Sequence, residues 1–358
     1  MKKIVTIVGA RPQFVKAAVV SRALQNEGIE ELIVHTGQHF DANMSEVFFE
    51  EMQIPKPKYN LEISNLNHGS MTGRMLEKIE EILIIEKPDF VLVYGDTNST
   101  LAGALAAAKL NIRVGHVEAG LRSHNNKMPE EINRILTDRI ASVLFCPTDT
   151  AIENLAKEGY GNFDCRIVKS GDVMQDAAMF YSKSSDENST ILKKLKVDSN
   201  SYILATIHRQ ENTNDPQNLI NIIGALNDIS SQTTVILPLH PRTRYILEQQ
   251  GITTLFKTIA PVGYLDMISL IKNCSMVFTD SGGLQKEAFF FHKHCITLRE
   301  ETEWIELVDF GYNTIVGSNR SKIVESYWQM RNKSSDFSRN LYGNGHASET
   351  IAKLLANL

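Results

Sequence analysis

Short apolar runs alternate with helix-patterned stretches along this chain, and that alternation leaves little choice of fold. In the first half the runs are Lys3–Val8, Glu31–Thr36, Phe90–Tyr94, Arg113–Glu118, Ser142–Cys146 and Arg166–Lys169. Helical patterns lie between them near Gln13–Asn26, Ala42–Met52, Met71–Glu86, Ser99–Leu110, Glu131–Ala141 and Asp149–Glu158. Strands linked by helices pair in parallel, and a parallel sheet covered on both faces reads as continuous apolar runs. The expected fold class is therefore α/β with a doubly wound, Rossmann-like sheet. A polar interval, Ser182–Thr190, reads as a surface connection. The series then resumes with runs at Tyr202–Ile207, Thr234–Leu237, Leu255–Ile259, Ser275–Thr279, Cys295–Leu298 and Thr314–Val316. This predicts two such domains, 1–172 and 173–346, with a last helix at 347–358 that packs on one or the other. Ligands of such sheets bind outside the strand C-terminal ends, so the expected site is a cleft between the domains.

A length of 358 residues suits two domains with sizeable cores. A formal net charge of -5 gives no electrostatic case for nucleic acid. Bound anions must be held by local cations and helix starts. The apolar run after Met1-Lys2-Lys3 is too short for a secretory leader, and no stretch approaches a membrane span. Cys146, Cys165, Cys274 and Cys295 lack metal-ligand spacing and read as small buried residues. A reduced, cytoplasmic protein is expected, with no metal.

Chemistry-bearing residues cluster just after the runs. Phe278-Thr279-Asp280-Ser281-Gly282-Gly283-Leu284-Gln285-Lys286-Glu287 passes from strand to helix through two glycines. A helix start offers unpaired N–H groups and partial positive charge, a seat for a diphosphate. Glu287, about one and a half turns in, is placed for a sugar hydroxyl. A plain Ser-capped turn would give the same pattern. Gly9-Ala10-Arg11-Pro12-Gln13-Phe14-Val15-Lys16 has one glycine, so it is not a dinucleotide fingerprint. Its two cations, Arg11 and Lys16, suit an anionic ligand. Asp96 and Glu118 end strands. Glu130 and Glu131 open a helix at Pro129, where acids also simply suit the dipole. Three carboxylates, Asp96, Glu118 and Glu130, on one cleft would form acid/base pairs. In the second half His208-Arg209 and His240-Pro241-Arg242 end strands on the same side as the glycine turn.

Taken together these segments resemble the non-hydrolysing UDP-N-acetylglucosamine 2-epimerase family. The match runs through Gly9-Ala10-Arg11-Pro12 with Lys16, Gly95-Asp96-Thr97, His116-Val117-Glu118-Ala119-Gly120-Leu121-Arg122 and Pro129-Glu130-Glu131-Ile132-Asn133-Arg134. It continues in Thr206-Ile207-His208-Arg209-Gln210-Glu211-Asn212, His240-Pro241 and the Asp280–Glu287 segment. The resemblance implies two Rossmann-like domains in a GT-B-like arrangement, a UDP-sugar in the cleft, and inversion at C2. It implies UDP-sugar contacts at Arg11, Arg134, Arg209, Glu211, Asn212, His240, Ser281, Gly282, Gly283 and Glu287. It implies a catalytic set of Lys16, Asp96, Glu118, Glu130 and His208, no cofactor, and a homodimer supplying precursors of surface polysaccharide.

Some positions depart from the commoner family pattern. Gly-Ala-Arg-Pro-Gln replaces Gly-Thr-Arg-Pro-Glu at Gly9–Gln13, and Thr302-Glu303-Trp304-Ile305-Glu306 replaces Thr-Glu-Arg-Pro-Glu. Some relatives act on modified UDP-sugars, including a diacetamido-glucuronate, and Trp304 predicts a substrate other than plain UDP-N-acetylglucosamine. Gln38-His39 matches part of an effector site for a second UDP-sugar, although Asp41 differs there. The expected chemistry is loss of UDP as the C2 proton leaves, a 2-acetamidoglucal-like intermediate, and re-addition after protonation on the other face. The base among the carboxylates stays open. A GT-B glycosyltransferase, a hydrolysing epimerase and a non-catalytic UDP-sugar sensor are the competing readings; the carboxylates speak against the sensor.

Overall fold

The computed structural model describes residues 2–38 and 54–358. The helix expected at Ala42–Met52, and His39 and Asp41 of the effector motif, lie outside the described residues. The chain divides into two compact units, Met1–Met179 with Asn340–Leu358, and Phe180–Arg339.

The first unit holds a seven-stranded parallel sheet in the order β3-β2-β1-β4-β5-β6-β7. Its strands are β1 (Lys3–Val8), β2 (Glu30–His35), β3 (Tyr59–Asn60), β4 (Phe90–Tyr94), β5 (Arg113–Val117), β6 (Val143–Cys146) and β7 (Arg166–Lys169). β3 was not expected. It is two residues long and exists by pairing with Val34 and His35 at the edge of β2, which no local pattern announces. The helix Ala347–Asn357 belongs to this unit. The Asp176 carboxylate accepts from the N–H groups of Ala347 (3.1 Å) and Ser348 (2.7 Å) at its start. Lys2 Nζ donates to the carbonyls of Leu355 (3.1 Å) and Ala356 (2.8 Å) near its end. Both contacts complement the helix dipole.

The second unit holds a six-stranded parallel sheet, β10-β9-β8-β11-β12-β13. Here β8 is Tyr202–Thr206, β9 Thr234–Pro238, β10 Lys257–Ile259, β11 Met276–Thr279, β12 Cys295–Thr297 and β13 Asn313–Ile315. Along β8, Ile203 and Ala205 join one apolar core with Leu219 and Ile222, while Tyr202 and Leu204 join another with Leu270 and Leu284. The period of two thus buries both faces.

Two expectations need correction. The polar interval is not a connection from its first residue: the helix Val173–Asn188 runs through most of it. Ala177, Tyr181 and Ser185 recur every fourth residue on its buried side, and Ser185 Oγ donates to Leu265 O at 2.7 Å. The polar residues between them are only its outer face. Among the cysteines, Cys165 is half-buried; the other three are buried, and all four are free.

In each sheet the strand order reverses beside the first strand, between β1 and β4 and between β8 and β11. That reversal opens a crevice at the strand C-terminal ends, where such folds bind ligands.

Candidate active site

In the first unit the loops after β1, β4 and β5 carry the charged residues. The helix after β1 begins at Arg11, and Lys16 projects from its second turn. Lys16 Nζ forms an ion pair with Glu118 Oε2, with both side chains about nine-tenths buried. The pair lies against Gly95, where a Cβ would stand 3.4 Å from each of the two atoms. Gly95 has φ +62, a conformation that a side chain would strain. Glu118 has φ +74, costly for a residue with a Cβ. Phe145 O holds it there, accepting from the N–H groups of both Glu118 and Ala119 at 3.1 Å.

Asp96 forms an ion pair with Arg134, whose other terminal nitrogen donates to Glu131 at 2.8 Å. Glu131 is buried and also accepts from Ser123 N (3.0 Å), Ser123 Oγ (3.0 Å) and His124 N (2.9 Å). It ties down the loop after β5. Its neighbour Glu130 is half-buried, with no hydrogen bond or ion pair among the described residues. Behind this layer His116 is wholly buried, Nδ1 2.7 Å from Asp138 and Nε2 2.7 Å from Gly95 O. Asp138 also accepts from Arg122 at 2.7 Å and from Gly120 N at 3.1 Å. Burial alone would push the Asp138 carboxyl up. His116, then Arg122, outweigh burial and hold it below the usual aspartate value.

In the second unit the buried Asp280 organises the turn. Its carboxylate accepts from His208 N (3.0 Å), Arg209 N (3.0 Å) and Asn212 Nδ2 (3.1 Å), and lies 3.1 Å from His208 Nδ1. Burial raises the Asp280 carboxyl, but His208, Asn212 and the Arg209 N–H hold it below its ordinary value. The Asn212 amide also donates to Leu298 O at 2.9 Å, so it is committed within the unit. The His208 side chain stays 53% exposed. Glu211 is exposed, and His240 is an exposed cap whose Nδ1 accepts from Arg242 N at 3.2 Å.

Ser281 caps the helix Gly282–Phe290. The space around Gly283 is open, whereas a Cβ on Gly282 would come within 2.2 Å of Glu303 Oε1. Arg299 holds Glu303 in that place at 2.9 Å. Glu287 is buried and accepts from Tyr264 OH at 3.0 Å. Trp304 is 2% exposed, with Lys286 Nζ 3.9 Å above its ring. It backs the helix start: a Cβ on Gly282 would stand 3.6 Å from its Nε1. Among the described residues no cluster of His, Cys, Asp and Glu could hold a metal ion. Asp280, Asp138 and Asn133 organise the strand-end turns, a role their place in the sequence did not by itself announce. The one available signal was their position beside strand-end motifs.

The chain as a whole has close counterparts. The family profile for UDP-N-acetylglucosamine 2-epimerase matches residues 22–356. The UDP-2,3-diacetamido-2,3-dideoxy-D-glucuronate 2-epimerase of Pseudomonas aeruginosa is 54% identical, over 99% of this chain and 100% of that one. The crystal structure of Methanocaldococcus jannaschii UDP-GlcNAc 2-epimerase, in complex with UDP-GlcNAc and UDP, superimposes with a TM-score of 0.92 at 42% identity, covering 100% of both chains. The Neisseria meningitidis enzyme bound to UDP-GlcNAc gives 0.89 at 31% identity, over 99% of this chain and 100% of the other. The chain belongs to the UDP-N-acetylglucosamine 2-epimerase family. It is an enzyme of that class, a non-hydrolysing C2 epimerase of UDP-GlcNAc-like sugars with the two-Rossmann, GT-B-like fold.

Proposed function

We propose that the substrate is UDP-2,3-diacetamido-2,3-dideoxy-D-glucuronate and that the enzyme inverts its C2 centre. The observation that carries this is the 54% identity, end to end, with the Pseudomonas aeruginosa enzyme that acts on that sugar. The Methanococcus maripaludis and Methanocaldococcus jannaschii UDP-N-acetylglucosamine 2-epimerases stand at 43% and 42%.

In this reading a carboxylate takes the C2 proton while the C1–O bond breaks and UDP leaves with the electron pair. A C1=C2 double bond forms. Proton delivery to the other face of C2 and return of UDP to C1 restore the saturated sugar. The N–H groups of Gly282 and Gly283 receive the diphosphate, with His208 and Arg209 adding charge as it leaves. Arg11, Arg134, Glu211, His240 and Glu287 complete the UDP-sugar contacts; Ser281 and Asn212 hold their loops. Lys16 and Arg134 orient Glu118 and Asp96, and Glu130 is the third carboxylate available for proton transfer. A homodimer working in the cytoplasm on a polysaccharide precursor belongs to the same proposal. No helix among the described residues is long and apolar enough to cross a membrane.

The test is turnover in deuterated water on a panel that includes the diacetamido-uronate and plain UDP-N-acetylglucosamine. Deuterium should enter C2 of the product, with the highest kcat/KM on the uronate. A higher kcat/KM on plain UDP-N-acetylglucosamine would overturn the substrate assignment, and turnover without deuterium at C2 would overturn the mechanism.

A further inference from the structure

Three consecutive backbone carbonyls at the end of β4 are each held by a buried side chain from a different part of the first unit. Tyr94 O accepts from Gln13 Nε2 at 2.7 Å, and Thr100 Oγ1 reaches it at the same distance. Gly95 O receives His116 Nε2 at 2.7 Å. Asp96 O accepts from Asn133 Nδ2 at 3.0 Å. Gln13 lies in the helix after β1, His116 in β5 and Asn133 in the helix that starts at Pro129. They are 2%, 0% and 6% exposed.

We propose that Gln13, His116 and Asn133 are positioning residues that clamp the Tyr94–Asp96 turn and so set where the Asp96 carboxylate stands. The inference rests on the reading of Asp96 as a catalytic carboxylate. A turn with a left-handed residue at Gly95 has alternatives open to it, and three donors on three successive carbonyls remove them. Each donor is itself fixed. Gln13 Oε1 accepts from the N–H groups of Gly9 (2.8 Å) and Ala10 (3.0 Å), and its amide also reaches Thr97 and Thr100. The amide serves both sides, its oxygen accepting and its nitrogen donating, whereas an ionised glutamate here would turn a carboxylate toward Tyr94 O. His116 is oriented through Asp138. A carbonyl can only accept, so Nε2 carries the proton in the bond to Gly95. Asn133 also donates to Asn98 Oδ1 at 3.2 Å. Catalytic groups must be held to within about half an ångström, and a misplacement of about 1 Å can cost about a hundredfold in rate.

His116→Gln keeps a donor near the Nε2 position and gives up Asp138; His116→Asn does the reverse. The experiment measures kcat and KM by C2 deuterium incorporation, UDP affinity by calorimetry, and melting for both, together with Asn133→Leu and Asp96→Asn. His116→Asn and Asn133→Leu should lose about tenfold or more in kcat, with KM and UDP affinity within about twofold. His116→Gln should keep at least about ten times the kcat of His116→Asn. Equal kcat in the two His116 variants, or an undiminished kcat in Asn133→Leu, would overturn the proposal. If neither His116 variant folds, Asn133→Leu decides. If Asp96→Asn turns over like the parent enzyme, the reading of Asp96 fails. If it is dead while Asn133→Leu stays fully active, the clamp alone fails.

Discussion

The two units place their candidate site residues at the same topological point and dress it in opposite ways. In the first, most charged groups pair with one another: Lys16 with Glu118, Arg134 with both Asp96 and Glu131, His116 with Asp138, while Glu130 stands apart among the described residues. In the second, His208 is 53% exposed, His240 is exposed, and the helix start at Gly282-Gly283 has open backbone around Gly283. Taking charges out of water is costly, so buried ionic pairs are weak evidence for stability and better explained by the geometry they impose. Proton transfer needs such geometry. A diphosphate that binds, leaves and returns needs accessible donors instead.

The sharpest way to break this contrast is Lys16→Met, which keeps the stem and removes the ammonium. Turnover should fall about a thousandfold or more, because positioned acid/base and electrostatic groups each supply about that much. Calorimetric UDP affinity should stay within about threefold. A parallel loss of affinity would mean that the first unit also carries the UDP seat.

Gly282→Ala probes the other side. The added methyl would meet Glu303 Oε1 at 2.2 Å and crowd the helix start. UDP affinity should drop about tenfold to a hundredfold, the equivalent of about 1.4–2.8 kcal/mol. Glu287→Ala should weaken UDP binding by about tenfold, since a hydrogen bond to a charged group contributes about 1.5–3 kcal/mol. Unchanged affinity would reduce Glu287 to the partner of Tyr264.

The smallest effect concerns Asp280 and pH. Its folded value is depressed, so the folded state binds fewer protons than the unfolded one as pH drops. The stability it adds is fully present above pH 3.8, the ordinary aspartate value, and is lost as pH falls through the lower folded value. Wild-type and Asp280→Asn melting temperatures should differ near neutrality and converge below that pH. A constant gap would show that the Asp280 charge does not matter to the turn.

Much of this architecture is legible in the chain. The apolar runs and helical periods marked the long strands and most helices, and the strand-end motifs marked Lys16, Asp96, Glu118, His208 and Ser281. The edge strand Tyr59–Asn60 was not legible, because two residues carry no period. The helical run through Ser182–Asn188 was hidden by composition, since its buried side there reduces to Ser185. The packing of Trp304 inside the unit, its ring beneath Lys286, was not legible either, because nothing local sets what covers an indole. The clamp on Tyr94, Gly95 and Asp96 was invisible because its acceptors are backbone carbonyls, identical at every residue.

Glu130 and Glu131 show the division most plainly. Local sequence determined that both open a helix, because a proline at the first position and acids in the first turn act over a few residues. Only tertiary structure decided that Glu131 is buried on Ser123, His124 and Arg134 while Glu130 is left uncommitted among the described residues. Adjacent helix residues point about 100° apart, and which direction meets a partner depends on what the rest of the sheet brings there. The same holds for Lys16 and Glu118, joined across 102 residues. Periodicity is a local property of the chain, and charge pairing is a property of the packed molecule.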